Sequence, residues 1–275
     1  MITLRIVLTF LLFSIAATQS QASDAYLVRF KTSGKSANCA HASWQSDTYF
    51  LNQGSIPAVV RLLGVSNAEL PLGSVYTLTL PPGQLVALSD PRTPEWRPAG
   101  QSDIENFFVL HLDIPADVVV ESRDQALVIN DCLIQPGPTI IKVSLPIFRA
   151  LVPANKVQTF LGTDAGSTPA HQNVAVYNAG AQQATAHVEI HQGCRGELID
   201  QRTVTIPANT ILQVNGLTTV TSSACFDPFV PSQSRYTVVT VDQPSLVLVT
   251  TITDPQPGSG LIPRVEMAIA NSSQF

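Results

Sequence analysis

The chain has 275 residues, enough for one large domain or two small ones with buried cores. Its 45% hydrophobic content excludes disorder over most of its length, and its 13% charged residues are about half the ~25% usual in globular proteins. A net charge of −5 excludes a general nucleic-acid binder and a polybasic membrane-surface protein, both of which need a basic footprint.

Residues 1–22 read as a secretory signal peptide: Arg5 in a short n-region, an apolar run from Ile6 to Ala17, and Ser20-Gln21-Ala22 before a new N-terminus at Ser23. The apolar run is about 12 residues, short of the ~20 that span a bilayer. No later apolar stretch approaches that length, so the mature chain is expected to be exported without stable membrane insertion.

The mature chain is written in strands. Thr77-Leu78-Thr79-Leu80 alternates polar and apolar, as a strand with one buried face does. A long loop follows at 89–106, carrying Trp96 between Glu95 and Arg97. The run Gly162-Thr163-Asp164-Ala165-Gly166-Ser167 reads as a linker, which divides the chain into domains at 23–165 and 166–275. Beyond it, Ala186 to His191 alternates again, and Tyr236–Val241 and Ser245–Ile252 are rich in β-branched residues. Turn residues separate these runs: Asn-x-Gly, Pro81-Pro82-Gly83, Asp-x-Pro and Pro255-Gln256-Pro257-Gly258. Pro (20) outnumbers Gly (15), and no long stretch has a helical period.

A repeat organises these strands. Tyr49–Gly54 and Ala175–Gly180 are apolar strands ending in Asn-x-Gly, 126 positions apart. Thr77–Pro81 meets Thr203–Pro207 at the same spacing. An insertion then moves the spacing to 129, where Leu112–Pro115 meets Val241–Pro244 and Val118–Val120 meets Val247–Val249. Leu151-Val152-Pro153 and Leu261-Ile262-Pro263 close the two units. Two units of about 100 residues with many short strands predict two β-sandwiches.

Four cysteines, Cys39, Cys132, Cys194 and Cys225, in an exported chain imply two disulfides. Counting allows three pairings. Tracking strand ends through an up-and-down meander puts Cys194 at the same end as loop 215–234 with Cys225, and Cys39 at the same end as Cys132. The expected pairs are therefore Cys39–Cys132 and Cys194–Cys225.

His187, Glu189 and His191 form H-x-E-x-H, and on a strand all three share one face. Two imidazoles and a carboxylate so placed are the best metal candidate in the chain. The plain alternative puts Val188 and Ile190 in the core and leaves the trio in solvent. No nucleophile elbow, H-E-x-x-H or phosphate loop occurs, so neither an enzyme nor a cofactor is expected. Trp96, with Phe226 and Phe229 in loop 215–234, are candidate binding residues, because long loops on rigid sandwiches are usual places for function.

The Asn-x-Gly, Thr-x-Thr-x-Pro and Asp-x-Pro motifs, the last followed by a β-branched run, resemble the immunoglobulin-like sandwich repeats of exported bacterial proteins over most of 48–270. The resemblance implies an all-β chain of two tandem immunoglobulin-like antiparallel β-sandwich domains after a signal peptide. It also implies a surface, adhesive or spacer role, so the chain is expected to be a structural or interaction protein of the periplasm, cell surface or extracellular space. Its partners would be an extracellular protein or polysaccharide. The alternatives are a polymer-binding accessory module and a periplasmic two-sandwich chaperone of the pilus type. The chaperone alternative rests on Phe107–Pro115, which resembles that family's Phe-x-Leu-Asn-x-x-x-Ile-Pro stretch.

Overall fold

Every described element of the computed structural model is a β-strand; the residues described are 23–29, 31–36, 40–66, 76–88, 108–130, 138–161, 170–192, 196–218, 235–253 and 265–268. Among them no helix is long and apolar enough to cross a membrane. The expected signal peptide lies outside the described residues.

In the first unit, one sheet runs β10 (Ile147–Phe148), β1 (Ser23–Arg29), β7 (Phe108–Ile114), β4 (Ala58–Val65), β5 (Tyr76–Leu80). The other runs β2 (Lys31–Ser36), β3 (Ala40–Asn52), β8 (Val118–Asn130), β9 (Pro138–Leu145), with β6 (Leu85–Leu88) also on β3. In the second unit, one sheet runs β11 (Val157–Leu161), β16 (Arg235–Val241), β13 (Ala184–Gln192), β14 (Leu198–Ile206). Its other sheet runs β15 (Thr210–Thr218), β12 (Ala170–Asn178), β17 (Ser245–Thr253), β18 (Val265–Ala268).

The units are copies of one design. Each pairing of the second has a counterpart in the first: β11–β16 matches β1–β7, β16–β13 matches β7–β4, and β13–β14 matches β4–β5. In the other sheets, β12–β15 matches β3–β6, β12–β17 matches β3–β8, and β17–β18 matches β8–β9. All are antiparallel. The spacing of 126 read from the sequence holds from β3 to β5. The later spacing of 129 does not. Val118 lies opposite Asn52 and Ser245 opposite Asn178, which makes β7–β8 and β16–β17 equivalent at 127. The turns agree: Gln53 N–H donates to Asp117 O, and Ala179 N–H to Pro244 O, each at 2.9 Å. The sequence match aligned Pro115 with Pro244, but these prolines occupy different places in their turns. Nor are the closing tripeptides equivalent, since 151–153 follow β10 whereas 261–263 precede β18.

The strand order is not that of an immunoglobulin. That fold keeps strands A, B, E and D in one sheet and C, F and G in the other. Lettered from β11 to β17, the sheets here are A-F-C-D and E-B-G. The first, fourth and last strands (A, D and G) have changed sheets relative to that pattern. The motifs behind the resemblance specify turns and strand faces, and say nothing about which strands become neighbours. The domain boundary also moves. β11 lies before residue 166 yet pairs with β16, so the 162–167 run joins two strands of the second sandwich instead of joining the sandwiches.

Three apolar layers hold the structure. The first fills the first sandwich, around Leu27, Phe50, Leu80 and Leu112; the second fills the second, around Phe160, Val188, Ile190 and Ile206. The third lies between the sandwiches: Tyr26, Val28 and Val109 of the first meet Ala175, Tyr177, Ile211, Leu246 and Leu248 of the second. The molecule is thus a stack of four sheets. Alternate residues of β1 serve two cores, Ala25 and Leu27 facing inward while Tyr26 and Val28 face the seam. The connection between β10 and β11 is tied down as well, with Val152 and Ser245 of β17 exchanging backbone bonds of 2.9 and 3.0 Å.

Candidate functional site

The H-x-E-x-H strand is β13, with β16 on one side and β14 on the other. Val188 and Ile190 are fully buried, so His187, Glu189 and His191 take the outer face together. The three do not converge. His191 Nε2 meets Glu189 Oε2 at 2.8 Å and its Nδ1 meets the Gly196 carbonyl oxygen at 3.1 Å. Its ring stacks on Tyr236, with centroids 5.0 Å apart and planes 7° from parallel. His187 turns the other way, Nδ1 to Thr203 Oγ1 at 3.0 Å. Among the described residues no group of three His, Cys, Asp or Glu side chains is placed to hold a metal ion. The chemistry of His191 here is fastening. It ties β13 to the connection before β14, where Gly196 adopts φ +68° and donates its N–H to Gln192 O at 2.7 Å.

The repeated asparagines do the same work twice. Asn52 Nδ2 donates to the carbonyls of Ile56 and Leu80 at 2.8 Å each, and its Oδ1 accepts from Gly54 N–H at 2.9 Å. Asn178 Nδ2 donates to Gln182 O at 2.8 Å, Ile206 O at 3.1 Å and Pro207 O at 3.0 Å, and its Oδ1 accepts from Gly180 N–H at 2.9 Å. Both side chains are fully buried. Each joins the end of its strand to the end of β5 or β14 in the facing sheet, which is why Asn-x-Gly recurs.

Several residues that sequence reasoning passed over are tied into the same frame. His111 Nε2 lies 3.2 Å from Asp24 Oδ1, and its ring stacks on Tyr26 at 4.3 Å between centroids. Arg29 is buried, donates to the Ser46 carbonyl and lies 6.0 Å from the Phe108 ring centre. Period 2 puts Arg29 on the face of Ala25 and Leu27, so its burial was readable from the sequence. Tyr177 donates to Asn209 Oδ1 at 2.8 Å, while Asn209 Nδ2 reaches Val65 O of the first sandwich at 3.4 Å. Burial pushes the Tyr177 phenol up to about 12, and nearby Tyr26 adds to the rise.

Trp96, Phe226, Phe229 and all four cysteines lie outside the described residues. The ladders leading to the cysteines are described. β3–β8 ends with Ala40 opposite Asn130, one residue from Cys39 and two from Cys132. β13–β16 ends with Gln192 opposite Arg235, two residues before Cys194 and at the close of the segment that carries Cys225.

No family model matches the chain, and no curated protein matches it. Among solved structures it is similar to one titled "Crystal Structure of Thermotoga maritima 1070", with 8% identity over 43% of this chain and 96% of that chain. The TM-score is 0.26, which carries no argument about fold or function.

Proposed function

We propose that the protein is an exported structural or interaction protein, in which two copies of one sandwich are fused into a rigid block that presents its loops to an extracellular partner. The observation that carries this reading is the apolar seam. Tyr26, Val28, Val109, Tyr177, Leu246 and Leu248 are all less than a tenth exposed, so the sandwiches are held face to face and not strung on a flexible linker. Disulfides Cys39–Cys132 and Cys194–Cys225 would close the loops at one end of each sandwich, and export supplies the oxidising compartment they need.

The chaperone alternative gains nothing from the fold. Donor-strand exchange needs a free strand edge, and Phe108–Ile114 of that stretch form β7, which is paired on both sides, by β1 and β4. The test is retention of the purified protein on cell envelope and on a panel of polysaccharides, with Trp96→Ala alongside. Retention on envelope by both proteins supports a scaffold with a protein partner. Loss of polysaccharide retention in Trp96→Ala replaces it with the polymer-binding reading. Turnover of any panel member overturns both.

A further inference from the structure

One amide buried in the second core is left with a donor to spare. Gln172 on β12 is fully buried and shares the inward face of Val174 and Val176. Its Oε1 accepts from Thr237 Oγ1 of β16 at 2.7 Å, a bond that crosses from one sheet to the other. Its Nε2 is buried too, and has no hydrogen-bond partner among the described residues. Asn178, at the other end of the same strand, directs its Nδ2 to three carbonyls. Turning the Gln172 amide over does not help: Nε2 would then meet Thr237 Oγ1, and Oε1 would be the atom left without a partner. Nor does the fold require a polar pair at this place. By the ladders, Gln172 stands where the first sandwich has Ser46, and Thr237 where it has the apolar Leu110. A buried polar pair with an unmet donor is worse than an apolar core, so the donor needs a partner.

Polar groups stand around it. Thr251 lies directly opposite Gln172 on β17 and is 4% exposed, so both side chains point into the core, with Cβ atoms roughly 4.5–5.5 Å apart. Gln192, 3% exposed, is the next inward residue of β13 after Ile190, which pairs with Thr237. We propose that Gln172 Nε2 and Thr251 Oγ1 form a closed binding site for one water molecule. The water accepts from Nε2 and donates to the threonine hydroxyl. Water suits the place because the groups around it are uncharged, the amide is sealed from solvent, and one molecule can both accept and donate. Thr237, Gln172, the water and Thr251 then form one chain of bonds that joins β16 to β17 by way of β12. Asn178 fastens one end of the second core, and this chain fastens the other. The inference stands on the interior of the second sandwich and is independent of the functional reading above.

A crystal structure of the purified protein should show one ordered water within hydrogen-bond distance of both Gln172 Nε2 and Thr251 Oγ1. In solution, NMR cross-relaxation should join the Gln172 side-chain amide protons to a long-lived water. Thr251→Val removes the hydroxyl with little change of shape, and that signal should be lost while the bond from Thr237 to Gln172 remains. Thr251→Ser keeps the hydroxyl and should keep the signal. Thermal unfolding of each variant checks that the sandwich is intact, and the structure of the unaltered protein decides the matter even where a variant does not fold. A Gln172 amide bonded on both sides to protein groups overturns the proposal. So does a site without water, or a water signal that Thr251→Val leaves unchanged.

Discussion

Replacing Asn52 or Asn178 by alanine removes a whole set of bonds at one point, and the two positions should respond alike. At position 52 the change deletes two donated bonds and one accepted bond, all between 2.8 and 2.9 Å. It also leaves the Leu80 carbonyl without the amide it meets in the interior. Three bonds at roughly 1 kcal/mol net each give a loss of about 3 kcal/mol. For a protein of this size that is a fall of roughly 6–12 °C in melting temperature. Asn178→Ala should match it, because its bonds repeat the set. Asn52→Asp is the sharper control. It keeps the shape and the bond from Gly54 N–H, but sets a second carboxylate oxygen against two carbonyls. Its folded pKa must then rise above the usual ~3.9, so the damage is smallest at low pH, where the protonated carboxyl still donates one of the two bonds, and grows as pH rises from about 4. Urea unfolding read by tryptophan fluorescence and circular dichroism at pH 4 and pH 7 measures all three variants. A loss below about 1 kcal/mol at either asparagine, or an aspartate variant insensitive to pH, would refute this account of the repeat.

Three further outcomes follow from the seam and the strand ends. Leu248→Ala, at 2% exposure in the seam, should cost about 2–4 kcal/mol, and calorimetry should show the single transition broadening or splitting as the sandwiches uncouple; an unchanged transition would mean the seam does not couple them. The Tyr177 phenol is pushed up to about 12 by burial, so its contribution to stability is whole below pH 10 and lost as pH climbs towards 12. Tyr177→Phe should flatten that slope and cost about 1 kcal/mol at neutral pH through the lost bond to Asn209. A non-reducing peptide map should join Cys39 to Cys132 and Cys194 to Cys225, each bridge stabilising by about 2–4 kcal/mol; a Cys132–Cys194 peptide would rule the assignment out.

What was legible in the sequence is what repeats locally. Asn52 and Asn178 could be found because a turn, a cap and a strand end are specified by a few adjacent residues, and the spacing of 126 follows from them. The alternation Ala186 to His191 assigned its two faces correctly for the same reason. Partner choice was not legible. Whether β1 lies beside β3 or β7 depends on contacts some 80 residues away, and nothing in Ala25–Arg29 records it. The shift of spacing to 127 was hidden because two unlike turns, 114–118 and 241–245, both contain a proline. The run Leu246-Val247-Leu248-Val249 announced burial on both faces, but not that one face belonged to its own core and the other to the neighbouring sandwich.

The seam also explains the residues at the two ends of the stack. Its halves are not equivalent surfaces: the β1–β7 sheet of the first sandwich meets the β12–β17 sheet of the second. Such a head-to-tail contact does not close on itself, and a third unit could add at either end. The end faces are therefore the counterparts of the buried faces, and they differ where it matters. Leu248 in the seam corresponds to Glu121 on the first sandwich's outer face, by the spacing of 127 that the ladders set. Arg123 beside it pairs with Glu121 at 2.6 Å and lies 5.6 Å from the Tyr49 ring centre, while Tyr49 stands where Ala175 does in the seam. At the other end, Tyr26 of the seam corresponds to Thr159, and the face continues into His187, Glu189 and His191. Desolvating these charges against another sandwich would be unfavourable, so neither outer face is built as a copy of the seam. The H-x-E-x-H strand that drew attention as a metal candidate thus belongs to the polar outer face of the second sandwich.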